Sequence, residues 1–223
     1  MHQKKSKKIL IYFFLLVLVG SMNNINLKEI KLHHIQNINI YGFNEKNKNA
    51  LLNDIQKKNL GNIFFLNRNE LTSVIDANTL VENYKIFKKY PSSINIKINK
   101  TVFLAKINKN GKIFLIGSNG KLIENEFSDN NLPFIFGNPE IKEFLKFKKI
   151  IDQSKIDYKN IKYIYFFQSK RWDIEFKNDL TIKLPLNFTK ETLNNSLLFS
   201  SNLNLKENKK IDLRVKNQII TNE

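Results

Sequence analysis

The chain has 223 residues, with 37 Lys or Arg against 20 Asp or Glu, a formal charge of +17 and no cysteine. The missing thiols exclude disulfides, thiolate metal sites and a cysteine nucleophile. Hydrophobic residues make up 42% and include 18 Phe, enough for a packed core and too many for wholesale disorder. Arg68, Arg171 and Arg214 are the arginines, and the lysines are scattered rather than gathered on one face. The charge therefore argues against a nucleic-acid partner and for a general attraction to anionic membrane or wall polymer.

Lys4, Lys5, Lys7 and Lys8 precede an unbroken apolar run over 9–19. As a helix, that run covers only ~16 Å of a hydrocarbon core ~30 Å thick. Extension to Leu27 reaches ~28 Å but places Asn23, Asn24 and Asn26 in the far leaflet. Three readings stay open: an uncleaved anchor over 9–27 behind a cytoplasmic tip 1–8, a cleaved signal peptide, or a core helix. The first two export everything that follows, with the lysines holding the N-terminus in the cytoplasm.

Alternation at Ile38 and Ile40 predicts a strand over 35–41 that turns at Gly42. Ala50, Leu51, Leu52 and Ile55 predict a helix over 45–59, ending before Gly61. Residues 62–67, with Ile63, Phe64, Phe65 and Leu66, read as a buried connector. Asn69 caps a second short helix carrying Leu71, Val74 and Ile75. Strands follow over 80–87 and, with a clean period of two, at Ile94, Ile96 and Ile98.

Asn110-Gly111 and Asn119-Gly120 are hairpin turns flanking 112–116. Further on, the pattern predicts a strand at 132–137, a helix over 139–154, strands over 161–168, 171–176 and 180–184, and a helix over 189–201. A final strand runs over 210–220. The fold class is α+β: a strand-helix-helix-strand-strand unit over 35–106, then a mixed β-rich unit with flanking helices over 107–223.

Several motifs in this order are similar to the FtsQ/DivIB family of cell-division proteins. Ile38-Asn39-Ile40-Tyr41-Gly42 resembles the strand that opens the family's POTRA domain. The segment 61–67 resembles the loop between that domain's helices, and 89–98 with Tyr90-Pro91 resembles its Pro-x-x-Leu-x-Ile-x-Ile strand. Leu132-Pro133 with Gly137, Arg171-Trp172-Asp173-Ile174 with Ile182-Lys183-Leu184-Pro185, and Ile211-Asp212-Leu213-Arg214 are like later family motifs. The resemblance implies an N-terminal transmembrane helix and a non-enzymatic, single-pass inner-membrane protein of the septum with its bulk in the periplasm. It also implies binding to FtsB- and FtsL-like division proteins, with other divisome members met through the POTRA domain.

No Gly-x-Ser-x-Gly, P-loop or Gly-x-Gly-x-x-Gly is present, and no cofactor or metal is expected. His33-His34, being adjacent, read as solvated rather than as ligands. Glu124, Glu126 and Asp129 read as surface acids, and Trp172 as core packing rather than an interface anchor. The final strand has more to offer. Arg214, Val215, Lys216, Asn217, Gln218 and Ile219 form an extended segment at a sheet edge, where a partner strand can add. The strand over 80–87 is a second possible docking edge. Alternative readings are an outer-membrane assembly or secretion component with a POTRA module, and an exported cell-wall enzyme.

Overall fold

A computed structural model describes residues 3–22, 34–124, 131–202, 210–215 and 218–222. Helix α1 spans Gln3–Met22, and every side chain from Ile9 to Val19 is exposed. No helix among the described residues is long and apolar enough to cross a membrane. The described part of the span expected over 9–27 does not by itself meet that length and apolarity. The four lysines dilute the N-terminal half of α1, and 23–27 lie outside the described residues.

The smaller unit contains β1 (Asn37–Tyr41), α2 (Glu45–Gln56), α3 (Arg68–Ala77), β2 (Val81–Lys89) and β3 (Ser93–Lys100). This is the strand-helix-helix-strand-strand order read from the sequence. The sheet order is β1-β3-β2, with β1 parallel and β2 antiparallel to the central strand. Alternation puts Ile94, Ile96 and Ile98 on one face with Ile40, where Leu51, Ile55, Leu71 and Ile75 of the two helices cover them. Asn44 caps α2 by accepting from Asn47 N. Asn67, rather than the expected Asn69, caps α3 by accepting from Glu70 N. Gly42 has φ +100°, and a Cβ there would sit 1.9 Å from Ile98 O, so no other residue fits the turn. The 62–67 connector is not buried as a whole: Ile63 points inward, while Phe64 and Phe65 stand in solvent.

The larger unit is a sheet of order β12-β11-β10-β9-β8-β7-β4-β5-β6 among the described residues. Its strands are β4 (Phe103–Lys109), β5 (Lys112–Gly117), β6 (Leu122–Glu124), β7 (Phe134–Phe136), β8 (Ile161–Phe166), β9 (Trp172–Phe176), β10 (Thr181–Lys183), β11 (Lys210–Asp212) and β12 (Ile220–Asn222). Helices α4 (Ile141–Asp152) and α5 (Lys190–Asn202) complete it. The whole of β4 belongs to this sheet, so the two sheets change over at Thr101–Val102, before the boundary at 106–107 read from the sequence.

Register places Ile107, Ile135, Ile164, Ile174, Ile182 and Ile211 side by side across six strands. All six are buried and share one core with Phe144, Phe147 and Ile151 of α4 and Leu193 of α5. Trp172 packs in that core, its ring 4.5 Å from Phe147 and 4.6 Å from Phe166.

The β5–β6 turn joins the two units. Asn119 Nδ2 donates to the carbonyls of Thr79 and Val81, each at 2.9 Å. Ser118 Oγ donates to Glu82 Oε2 at 2.7 Å. Lys121 Nζ donates to Asn78 O at 3.0 Å and also to Asp76 O. Gly117 is required beneath this turn, since a Cβ would lie 2.6 Å from both Asn119 Oδ1 and Thr101 Oγ1.

Candidate partner-docking edge

The C-terminal end of the large sheet is built from β10, β11 and β12. β10 and β11 run parallel, pairing Thr181 with Lys210 and Lys183 with Asp212. β11 and β12 run antiparallel, pairing Asp212 with Ile220 and Lys210 with Asn222. The expected single strand over 210–220 is therefore two strands of three residues, with the chain reversing between them. β12 closes the sheet order and has no further strand beside it among the described residues. Its outward N–H and C=O groups are what an incoming strand would bond.

The structure gathers Arg214, Val215, Gln218 and Ile219 in the β11–β12 connection rather than in a strand. Together with Pro185, Thr192 and Leu213 they line an open cleft of ≈ 720 Å³ between that connection and the start of α5. Lys216 and Asn217 lie outside the described residues. Val215, Ile219 and Ile220 are each 40–45% exposed, so the edge presents apolar side chains beside its open backbone. The cleft residues Pro185, Thr192 and Leu213 carry no signal in the sequence that joins them to this edge. A polar Lys216-Asn217 pair between apolar Val215 and Ile219 was the available signal for a reversal.

Arg214 fixes the cleft wall. Its Nε donates to both carboxylate oxygens of Asp212, at 2.7 and 2.9 Å, and its backbone N donates to Asp212 Oδ1 at 3.1 Å. Hydrogen bonds from Arg214 hold the Asp212 carboxyl below the usual carboxylate range, and Asp212 raises Arg214 in turn. One row inward, the register reads Phe136, Tyr165, Asp173, Lys183, Asp212, Ile220 across the sheet. Asp173 is 5% exposed, and burial pushes its carboxyl up despite Arg171, Lys183 and Arg214 nearby. Arg171 Nε lies 3.4 Å from Asp173 Oδ1 without the alignment of a hydrogen bond. Burial also lowers Lys183, helped by Lys210 beside it.

Among the described residues, no group of three or more His, Asp or Glu is placed to hold a metal. Glu124 pairs with Lys112 at 3.8 Å on the surface, while Glu126 and Asp129 lie outside the described residues. His34 Nδ1 lies 3.4 Å from Gly61 O, and His33 is outside the described residues.

A POTRA-like unit joined to a β-rich unit defines a class of two-domain α+β proteins. The family model "Cell division protein FtsQ/DivIB, C-terminal" matches residues 105–214, and the model "POTRA domain, FtsQ-type" matches 33–100. The chain belongs to the FtsQ/DivIB family of cell-division proteins. Cell division protein FtsQ of Rickettsia bellii (strain RML369-C) is 25% identical over 198 residues, 82% of this chain and 70% of that protein. Cell division protein DivIB of Clostridium botulinum (strain Hall) is 26% identical over 196 residues, 83% of this chain and 74% of that protein. DivIB of Clostridium tetani is 31% identical over 88 residues, 40% of this chain and 33% of that protein. The solved extracytoplasmic domain of DivIB from Geobacillus stearothermophilus covers 48% of this chain at 12% identity and a TM-score of 0.35.

Proposed function

We propose that the chain is a single-pass inner-membrane scaffold of the divisome that binds its partners and catalyses nothing. The observation that carries this reading is the β12 edge, flanked by exposed Val215, Ile219 and Ile220. An FtsB-like segment adds as the next strand, with FtsL-like protein reached through it. Main-chain bonds supply affinity, and the alternating face beside Ile220 selects an apolar side chain. The cleft at Arg214 receives side chains from the added strand. The edge strand β2 and the rest of the POTRA unit serve other divisome members.

The apolar run of α1 anchors the protein, with the lysines on the cytoplasmic side and 34–222 in the periplasm at the septum. An exposed run of eleven apolar residues, 9–19, has no other cover among the described residues. The bilayer thins or the lysines snorkel to accommodate so short a run.

Val215→Glu with Ile219→Glu tests the edge. Both side chains are exposed, so the fold persists and the melting temperature stays within a few degrees. Capture of the FtsB-like partner falls at least ~10-fold, the loss that ~1.4 kcal/mol produces. Unchanged capture would remove this edge as the site. A fluorescent fusion on the N-terminus gives a septal band if the division role holds in the cell, and a uniform envelope if it does not.

A further inference from the structure

The end of the POTRA unit where the chain enters carries an aromatic tip that the partner edge does not use. Phe64, Phe65 and Tyr90 are 54%, 76% and 59% exposed. The tip is built rather than frayed. Ile63 is fully buried beneath it, Asn62 Oδ1 accepts from both Phe64 N and Phe65 N at 3.0 Å, and Asn67 N donates to Leu60 O at 3.0 Å to close the loop. The Phe64 and Tyr90 rings lie 5.2 Å apart, joining this loop to the β2–β3 hairpin. Lys88 Nζ donates to Phe64 O at 3.4 Å, and exposed Lys89 stands beside it. Single exposed apolar residues are ordinary, but three aromatics on one rigid tip, edged by lysines, mark a contact surface.

The position of the tip identifies the contact. His34 bridges to Asn62 in the tip loop, and Asn37 at the start of β1 pairs with Ser93 at the hairpin. Eleven residues, 23–33, separate Met22 of α1 from His34. Even fully extended they reach no more than ~40 Å. The chain thus enters the POTRA unit at the tip, while the opposite pole is bound to the β5–β6 turn.

We infer that the Phe64, Phe65 and Tyr90 tip rests in the interfacial region of the bilayer that holds α1, with Lys88 and Lys89 on anionic headgroups. This rests on the reading of α1 as an anchor. Aromatic rings belong at the headgroup level, and lysines beside them find anionic phosphates there. A short apolar run gains most from such a second attachment, since two weak membrane signals hold where one is marginal. The tip also sets which way the POTRA unit leans, and through the clamp which way β12 faces.

The chain has no cysteine, so one introduced thiol is unique. The full chain carrying Phe65→Cys with an environment-sensitive fluorophore is incorporated into phosphatidylethanolamine vesicles containing phosphatidylglycerol. Lys177→Cys, exposed on the β9–β10 turn, is the labelled control. The expected result is blue-shifted emission at position 65, quenched by brominated lipid at least twofold more than at 177. Charge reversal with Lys88→Glu and Lys89→Glu halves that quenching or more. A chain that floats with the vesicles while its label at 65 is open to aqueous iodide contradicts the tip alone. A chain that does not float contradicts both anchor and tip. A label shielded from iodide yet blind to brominated lipid shows a protein cover, such as a second copy, and overturns the proposal. Quenching that the lysine reversals leave unchanged overturns the assignment to anionic headgroups.

Discussion

Asp173 and Asp212 flank Lys183 in one cross-sheet row, yet the fold treats their charges oppositely. Asp173 holds its proton more tightly folded than unfolded, because burial outweighs Arg171, Lys183 and Arg214. Its ionised form therefore costs stability at neutral pH, and that cost fades as pH falls through its raised folded value toward 3.8. Asp212 is depressed by Arg214, so its contribution is whole above 3.8 and is lost as pH falls through the lower folded value. Melting temperatures measured against pH should show opposite trends. Relative to Asp173→Asn, the parent chain gains as pH falls; relative to Asp212→Asn, it loses. Parallel trends would mean that the row is not tuned as described. Phe147, 2% exposed and stacked on Trp172, gives a larger effect. Phe147→Ala should cost ~3–5 kcal/mol in thermal unfolding, the loss of a buried aromatic plus its cavity. A cost below ~1 kcal/mol would show that the core collapses into the space.

Elements differ in how far their residues betray them. Ile94, Ile96 and Ile98 alternate cleanly because one face of β3 meets α2 and α3 and the other meets water. The two capped helices and the Asn110-Gly111 hairpin were legible for the same local reasons, φ 53° and 80° at that turn included. β4 has a weak pattern, since its fully buried positions reduce to Ala105 and Ile107. β11 and β12 are three residues each, and in β11 only Ile211 is buried, too little for any period to show. The outermost strand is thus β12, Ile220–Asn222, rather than one strand running through 214–219. Residues 62–67 look buried from their hydrophobicity, whereas geometry turns Phe64 and Phe65 outward.

The clamp was invisible for another reason: Asn119 reads as a turn residue, and nothing local says that its amide spans to Thr79 and Val81. Asn119→Ala removes two hydrogen bonds to backbone carbonyls and should destabilise the chain by ~1–3 kcal/mol. Small-angle scattering should also show a broader spread of arrangements of the two units. Unchanged stability and scattering would make the clamp incidental.

At the scale of the whole molecule, these parts follow one another along the chain. α1 supplies the apolar run, the aromatic tip stands where the chain re-enters the fold, and β3 crosses the POTRA unit over eight residues, Ser93–Lys100. At ~3.3 Å per residue, that carries the chain ~26 Å to the clamped pole. The Ile107 to Ile211 row then leads across six strands to β11, with β12 at the open side. On the proposed anchoring of α1, the hydrogen bonds of the β5–β6 turn would hold the β12 edge at a defined height above the membrane.

The account stands on strand addition at β12. Amide hydrogen exchange of the full chain, with and without a saturating FtsB-like partner, reads that edge directly. Binding should slow exchange across Ile220–Asn222 by at least ~10-fold and leave the buried strands β8 and β9 unchanged, because only open edge amides gain a new acceptor. A bound complex in which Ile220–Asn222 exchange as fast as in the free chain would contradict it.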